Sequence, residues 1–579
     1  MPAAPVSANR LWLAALRATS AMAATPLLTL PRRIEAEALA HGDAPAILSA
    51  EACLSYAALA GQMRRTARFA LAQGWGRGDV IALHMLNSAD YLATWLGLTR
   101  VGIVTALLNP QLAAAGLTHG LQVAGARAVI GDVSLKVEPG LPVIRFDAAF
   151  RATLSGFSDA ALDESEAENI TLDDPALLIF TSGTTGMPKA ARLSHHRILT
   201  WSLWFAGLSE ASAKDRLYDP LPLCHSVGGV VAPGAMLVSG GAVVVRDKFS
   251  VSQFWDDVVR FECTIFQYIG DLCRYLLNAP PHPLERAHHL RLACGNGLSG
   301  AIWERFAARF ALPRILEFYA ATEGNVSLYN VEGKPGALGR IPGFLAHGFP
   351  LALVRHDAAT GEPWRGADGL CQRCANDEPG EALGLVSAGR GATGAFEGYT
   401  DPEATSRKLL RDVFAKGDVW FRTGDLMRAD AQGYHYFVDR IGDTFRWHGE
   451  NVATTEVARV IGAVAGVTDC AVYGVKVPGH EGRAGMAALV VRDGFQLADV
   501  TAALKQHLPT YARPLFVRIM PVLPLTATFK QQKAVLMAEG FDPRLIADPL
   551  WFWMAAANGQ WRVLDHDVHG DISEGRLRL

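Results

Sequence analysis

Residues 176–189 read ALLIFTSGTTGMPK, and this run sets how the rest of the chain is understood. Ala176–Phe180 is apolar over the length of a buried strand. It feeds directly into Thr181, Ser182, Gly183, Thr184, Thr185, Gly186, Met187, Pro188 and Lys189. Glycines let a backbone approach an anion closely, and hydroxyls with successive N–H groups bind its oxygens. Lys189 adds a compact positive charge. The spacing is not that of the Walker loop, because Gly183 would need a second glycine at 188, where Pro188 stands. A plain surface loop rich in Ser, Thr and Gly explains neither the preceding strand nor the Pro-Lys ending. The stretch therefore reads as a phosphate-binding loop.

Outward from this loop, short apolar runs alternate with helical patterns. Strands are predicted at 80–84, 102–107, 128–131, 176–180, 241–245 and 264–268, with a helix over 89–101 between two of them. Such alternation implies an α/β fold with largely parallel, buried sheets. After about residue 340 the glycines become dense and the strands shorter. A compact βαβ-like tail follows over 443–540, carrying VARVIGAVAG, CAVYGV, MAALVV and a helix at 497–507. A domain boundary is placed near Arg440–Gly442.

The chain has 579 residues, 50% hydrophobic and 19% charged, enough apolar material for a large core and against general disorder. Lys plus Arg is 54 and Asp plus Glu is 57, a balance that argues against a nucleic-acid partner held by net charge. Eight cysteines lie sparsely, mostly in apolar runs, which suits a reducing compartment better than a disulfide scaffold. Residues 11–30 read LWLAALRATSAMAATPLLTL; Arg17 near the middle disfavours a membrane span, and an amphipathic helix on a surface or at a membrane interface, able to associate with a membrane, fits better. The uncharged stretch between Asp219 and Arg246, interrupted by Pro222, Pro233 and five glycines, reads as a turn, a buried helix and a buried strand.

Four motifs occur in a fixed order: TSGTTGMPK at 181–189, LEFYAATEGNVSLYN at 316–330, FRTGDL at 421–426 and DRIGDTFRWHGENVATTEV at 439–457. Together they resemble the adenylate-forming, AMP-binding enzymes. GDTFRW-x-GEN, TEGNVSLYN and the tail TATFK…GFDP resemble, within them, the fatty acid transport protein branch of long- and very-long-chain acyl-CoA synthetases. The match runs from about residue 35 to the C-terminus. It implies three parts: an N-terminal segment 1–34, an adenylation domain of several α/β subdomains over 35–441, and a small mobile α+β domain over 442–579. It also implies a two-step reaction, in which ATP and a fatty acid give acyl-AMP and pyrophosphate and CoA then takes the acyl group. The protein would sit in the cytoplasm or peripherally on the cytoplasmic face of a membrane; oligomeric state stays open.

The resemblance also assigns roles. Residues 181–189 would hold the β- and γ-phosphates, Thr322 would contact phosphate, and Glu323 would ligate Mg²⁺, a hard cation between carboxylate and triphosphate. Tyr319 would stack on adenine, beside Ala320 where relatives often have glycine. Asp425 would accept from the ribose hydroxyls, supported by Arg440. Lys530 would stabilise charge at the α-phosphate, with Lys533 as a weaker rival. Gly442 would be the hinge of a rotation that exchanges Lys530 for a pantetheine tunnel lined by Trp447–Gly449. His225 would lie beside the carboxylate, and Gly295, Asn296 and Gly297 would wall its other side near adenine.

Two signals compete. GNGLSG at 295–300 fits G-x-G-x-x-G, with Glu317 about twenty residues on, as a nicotinamide-binding fingerprint would ask. The chain holds 56 glycines, so the spacing arises easily by chance. Cys371 and Cys374 form a lone CxxC without a second pair for zinc, and the pairs His195-His196 and His288-His289 lack metal spacing. Beside the fatty acid ligase stand a CoA ligase for a bile acid or similarly bulky carboxylate, an acyl-AMP ligase loading a carrier protein, and fatty acid uptake by metabolic trapping.

Overall fold

In the computed structural model the described residues are 7–131, 140–163, 165–167, 169–181, 188–357, 360–387, 395–448, 450–526, 531–554, 560–577 and 579. The chain divides into two compact units, Met1–Pro350 with Gly384–Leu410, and Leu351–Leu383 with Arg411–Leu579.

The first unit is α/β. Its eight-stranded sheet runs, edge to edge, Ser327–Asn330, Ile315–Ala320, Leu292–Asn296, Ile265–Ile269, Arg216–Asp219, Ala242–Val245, Pro45–Leu48 and Cys53–Ser55. Every interior junction is parallel and only the two edge strands are antiparallel. Parallel strands covered on both faces need apolar residues throughout, which is why Ala242–Val245 is buried at each position. A six-stranded sheet follows the order Val143–Arg145, Ala128–Gly131, Val80–His84, Val104–Leu107, Pro175–Thr181 and Lys189–Ser194. Its last pair is antiparallel, so Thr181 and Lys189 stand opposite each other.

The expected helix over 89–101 is found at Ala89–Arg100, and its residues from Tyr91 onward are buried. Ser88 starts it by accepting the Tyr91 N–H. The uncharged stretch folds as a π-helical turn Val227–Val231, a helix Ala232–Leu237 and the strand Ala242–Val245. The N-terminal amphipathic pattern is a helix at Ala8–Ser20 whose Leu11, Trp12 and Ala15 are buried. They pack on the helix His195–Ser209, where Gly207 leaves no room for a Cβ against Ala15, and Trp12 meets Trp204 and Tyr329 edge-on. That apolar face therefore serves the protein's own core. Among the described residues no helix is long and apolar enough to cross a membrane.

The second unit is built on two sheets. In one, Leu351–Val354, the strand that begins at Gly380 and Val419–Ala429 lie in order, with His435–Arg440 paired to Val419–Ala429. In the other, Val467–Val475, Ala484–Val491, Phe516–Ile519, Leu550–Met554 and Gln560–Val563 lie side by side. The helix Leu497–His507 makes the crossover between parallel Ala484–Val491 and Phe516–Ile519. Residues 351–383 and 411–441, assigned from sequence to the larger domain, thus pack with the C-terminal part. One reason is local: the buried Asp439 carboxylate accepts the Thr454 N–H at 2.5 Å and fixes the start of helix Thr454–Gly462.

Candidate active site

In the first unit the strand Pro175–Thr181 delivers Thr181, and Lys189 begins the return strand. Ser182, Gly183, Thr184, Thr185 and Gly186 lie outside the described residues. Ser194 closes the return strand and caps the next helix by accepting the Arg197 N–H at 3.2 Å. Its own N–H and hydroxyl donate to Glu397, at 2.6 and 2.8 Å.

Glu397 introduces a segment that the sequence reading passed over. Residues 398–400 pair with the return strand through Arg192 N–H to Gly398 C=O and Thr400 N–H to Ala190 C=O, both 3.0 Å. This seats the buried Tyr399 beside the loop's two ends. The Thr181 side chain lies near the Tyr399 hydroxyl. Lys189 Nζ lies 5.7 Å from its ring centroid. The Tyr399 hydroxyl donates in turn to Glu323 Oε1 at 2.9 Å. Burial, then the Glu323 charge, raises the Tyr399 phenol well above its usual range, so it stays protonated. The residues expected to meet phosphate and metal are thus tied together by a tyrosine with no motif signal of its own.

Glu323 is half-buried, and among the described residues Oε1 is its one hydrogen-bonded oxygen. A carboxylate with one oxygen to spare would suit a single-oxygen protein ligand to the Mg²⁺ of a bound nucleotide. Among the described residues no cluster of three or more His, Cys, Asp or Glu could hold a metal by itself. The neighbouring Thr322 Oγ1 lies 2.9 Å from Ser226 Oγ, which joins the His225 segment to the TEG turn. Arg197 lies buried beneath, donating to the Gly324 carbonyl.

The glycine turn is held from the next strand. Gly295 separates Tyr268 and Glu317 across three parallel strands. A Cβ at Gly295 would fall 2.2 Å from the Tyr268 carbonyl oxygen, and its absence lets the Tyr268 hydroxyl donate to Glu317 Oε2 at 2.5 Å. Glu317 Oε1 accepts the N–H groups of Gly297 and Leu298 at 2.5 and 3.1 Å. Gly297 adopts φ +83°, where other residues are strained. Burial outweighs these donors and pushes the Glu317 carboxyl up to about 8. Glu317, which a dinucleotide fingerprint would send to a ribose, is instead the buried anchor of Gly295–Leu298. Asn296 ends the strand half-buried, and Tyr319 lies half-buried two residues beyond Glu317.

In the second unit Asp425 and Arg440 are cross-strand neighbours, with Arg440 Nε 3.5 Å from Asp425 Oδ1. Gly442 follows with φ +97° and nothing within 4 Å of where a Cβ would stand, so backbone conformation, not space, calls for glycine there. Trp447 is buried in the hairpin Phe445–Trp447 and Glu450–Val452, and His448 turns it with φ +51°. Gly449 and Lys530 lie outside the described residues. The rival Lys533 is committed elsewhere: its Nζ donates to Thr454 Oγ1 at 2.7 Å and pairs with Asp443 at 3.2 Å.

Two family models match the chain, that of the AMP-binding enzymes over residues 34–389 and that of their C-terminal domain over 456–530. Long-chain fatty acid transport protein 1 of Mus musculus is 40% identical over 574 residues, covering 95% of this chain and 88% of its own. Long-chain fatty acid transport protein 3 of Homo sapiens is 42% identical over 523 residues, covering 87% and 76%. Among solved structures, ATP-bound MatB of Rhodopseudomonas palustris is similar with a TM-score of 0.72 at 25% identity, covering 87% of this chain and 98% of its own.

Proposed function

The chain belongs to the AMP-binding enzyme family, and from that premise we propose that it is an ATP-dependent, AMP-forming ligase joining long-chain fatty acids to the thiol of CoA. In the first step a carboxylate oxygen of the acid attacks the α-phosphorus of ATP. The α–β phosphoanhydride bond breaks, and pyrophosphate leaves with the electron pair. In the second, the CoA sulfur attacks the acyl carbonyl carbon, the bond to the AMP oxygen breaks, and the thioester forms.

No side chain need act as nucleophile in either step, so the protein's part is binding and charge stabilisation. The hairpin ends Thr181 and Lys189 and the hydroxyl of Thr322 bind the polyphosphate. Glu323 would hold Mg²⁺, which would supply positive charge against the phosphates. The Gly295–Gly297 turn and Tyr319 enclose adenine, and His225 lies along the side where the acid carboxylate enters. Asp425 and Arg440 hold the ribose. Lys530 stabilises charge during adenylation, and a rotation about Gly442 replaces it with Trp447–Gly449 for thioester formation.

The observation that supports this most directly is the Tyr399–Glu323 hydrogen bond beside Lys189, which sets a half-open carboxylate next to the ends of the phosphate-type loop. Pyrophosphate release with Mg·ATP tests it, using fatty acids from short to very long and a bile acid, with and without CoA. Release that peaks at long chains and turns over repeatedly only with CoA is the expected result. No release with any acid from folded, ATP-binding protein would refute the proposed substrate.

A further inference from the structure

Tyr399 belongs to none of the motifs that point to the reaction, yet it lies beside three residues of the polyphosphate side. Its hydroxyl donates to Glu323 Oε1 at 2.9 Å, its ring lies 5.7 Å from Lys189 Nζ, and the Thr181 side chain lies near its hydroxyl. Tyr399 is itself fixed: it is 4% exposed, and its backbone bridges to Ala191. The Tyr399 N–H donates to Thr405 Oγ1 at 2.9 Å, which leaves the ring little freedom to swing.

A carboxylate has two oxygens and can ligate a cation through one or both. Ca²⁺ accepts six to eight oxygens in loose geometry and readily takes both oxygens of one carboxylate. Mg²⁺ demands near-octahedral geometry at short range, and a four-membered carboxylate chelate suits it poorly. A phenol donating to Oε1 occupies one oxygen and holds the carboxylate's rotation. It leaves Oε2 as the single ligand. We propose that Tyr399 is a positioning residue that sets Glu323 for one-oxygen ligation, and thereby makes the nucleotide site discriminate Mg²⁺ from larger divalent cations. The inference rests on the assignment of Glu323 to the metal of Mg·ATP.

The test is binding, independent of turnover. ATP affinity of the full chain is measured by calorimetry with Mg²⁺, with Ca²⁺ and with chelator alone, for the wild type and Tyr399→Phe. Phenylalanine keeps the ring and removes only the donor. Losing a hydrogen bond to a charged group should weaken Mg²⁺-supported ATP affinity roughly tenfold. Ca²⁺-supported affinity should hold or rise, so that the Mg²⁺/Ca²⁺ ratio falls roughly tenfold or more. A purely structural role would lower both together and leave the ratio where it was, and that result overturns the proposal. Thr405→Val, which removes the hydroxyl that seats the Tyr399 N–H but spares the phenol, should shift the ratio in the same direction by less. It decides the matter should Tyr399→Phe fold poorly, and an unchanged ratio there counts against the proposal. In Glu323→Gln the added Tyr399→Phe change should have no further effect on the ratio; an undiminished effect places the phenol's action elsewhere and refutes the coupling. Wild-type affinity that is equal with and without metal would instead overturn the metal assignment itself, and the proposal with it.

Discussion

Glu317 offers the sharpest quantitative test of how the nucleotide side is held together. Its carboxyl accepts the Tyr268 hydroxyl and the N–H groups of Gly297 and Leu298. Glu317→Ala removes all three acceptor contacts. The Gly297 N–H lies at an exposed residue and finds water, but the Tyr268 hydroxyl and Leu298 N–H are buried. At about 2 kcal/mol for each buried donor left without a partner, the turn should lose about 4 kcal/mol. Glu317→Gln keeps an acceptor for both amides and is close in shape to the neutral acid. It should cost about 1 kcal/mol or less at neutral pH. Amide hydrogen exchange over the peptide 292–300 reads the local opening directly. It should speed up by roughly a thousandfold in Glu317→Ala and by less than about tenfold in Glu317→Gln.

The same residue fixes a sign with pH. The folded-state carboxyl is pushed up to about 8 by burial, above its unfolded value, so the folded chain keeps a proton that the unfolded chain releases. Its contribution is complete below about pH 4 and declines as pH rises toward about 8, with a slope of at most about 1.4 kcal/mol per pH unit. Glu317→Gln should flatten that decline. Alanine and glutamine variants that exchange alike, or a decline that survives Glu317→Gln unchanged, would refute the assignment of Glu317 as the turn's buried anchor.

Three further outcomes are expected. Lys530→Ala should block acyl-AMP formation while sparing CoA transfer from supplied acyl-AMP, whereas Lys533→Ala should lower the thermal midpoint without separating the two half-reactions; equal loss of both half-reactions in Lys530→Ala would contradict the rotation about Gly442. Gly295→Ala should cost about 1–3 kcal/mol and weaken AMP binding, because the new Cβ meets the Tyr268 carbonyl oxygen at 2.2 Å; thermal shift with and without AMP reads both. Arg422→Met should cost about 3–5 kcal/mol, since it strands the Glu381 carboxylate, which is 0% exposed and takes Arg422 Nη2 at 2.8 Å; adding Glu381→Gln should recover much of the loss in the same unfolding assay.

Some of this was legible in the residues alone. Period and apolar run length place the buried strands and the helix Ala89–Arg100 because those signals are local. The order of TSGTTGMPK, LEFYAATEGN, FRTGDL and DRIGDTFRWHGEN points to the family because each is a contiguous segment with its own chemistry. Glu317 stood in plain view, in a spacing that suggested a ribose-binding acid. Its real partners, Tyr268 and the Gly297 turn, become neighbours only when three strands align in register.

Tyr399 is the opposite case. It lies 76 residues beyond Glu323 and more than two hundred beyond Thr181, in a segment without periodicity, and strand pairing alone brings it to both. The apolar face of Ala8–Ser20 shows the same division. Amphipathicity states that one side of a helix is buried and is silent on whether lipid or protein buries it; here Trp204, Gly207 and Tyr329 do. Local chemistry and spacing are written along the chain. Which distant side chain meets a given donor, cation or apolar face follows from sheet register and packing, and those exist only once the chain has folded.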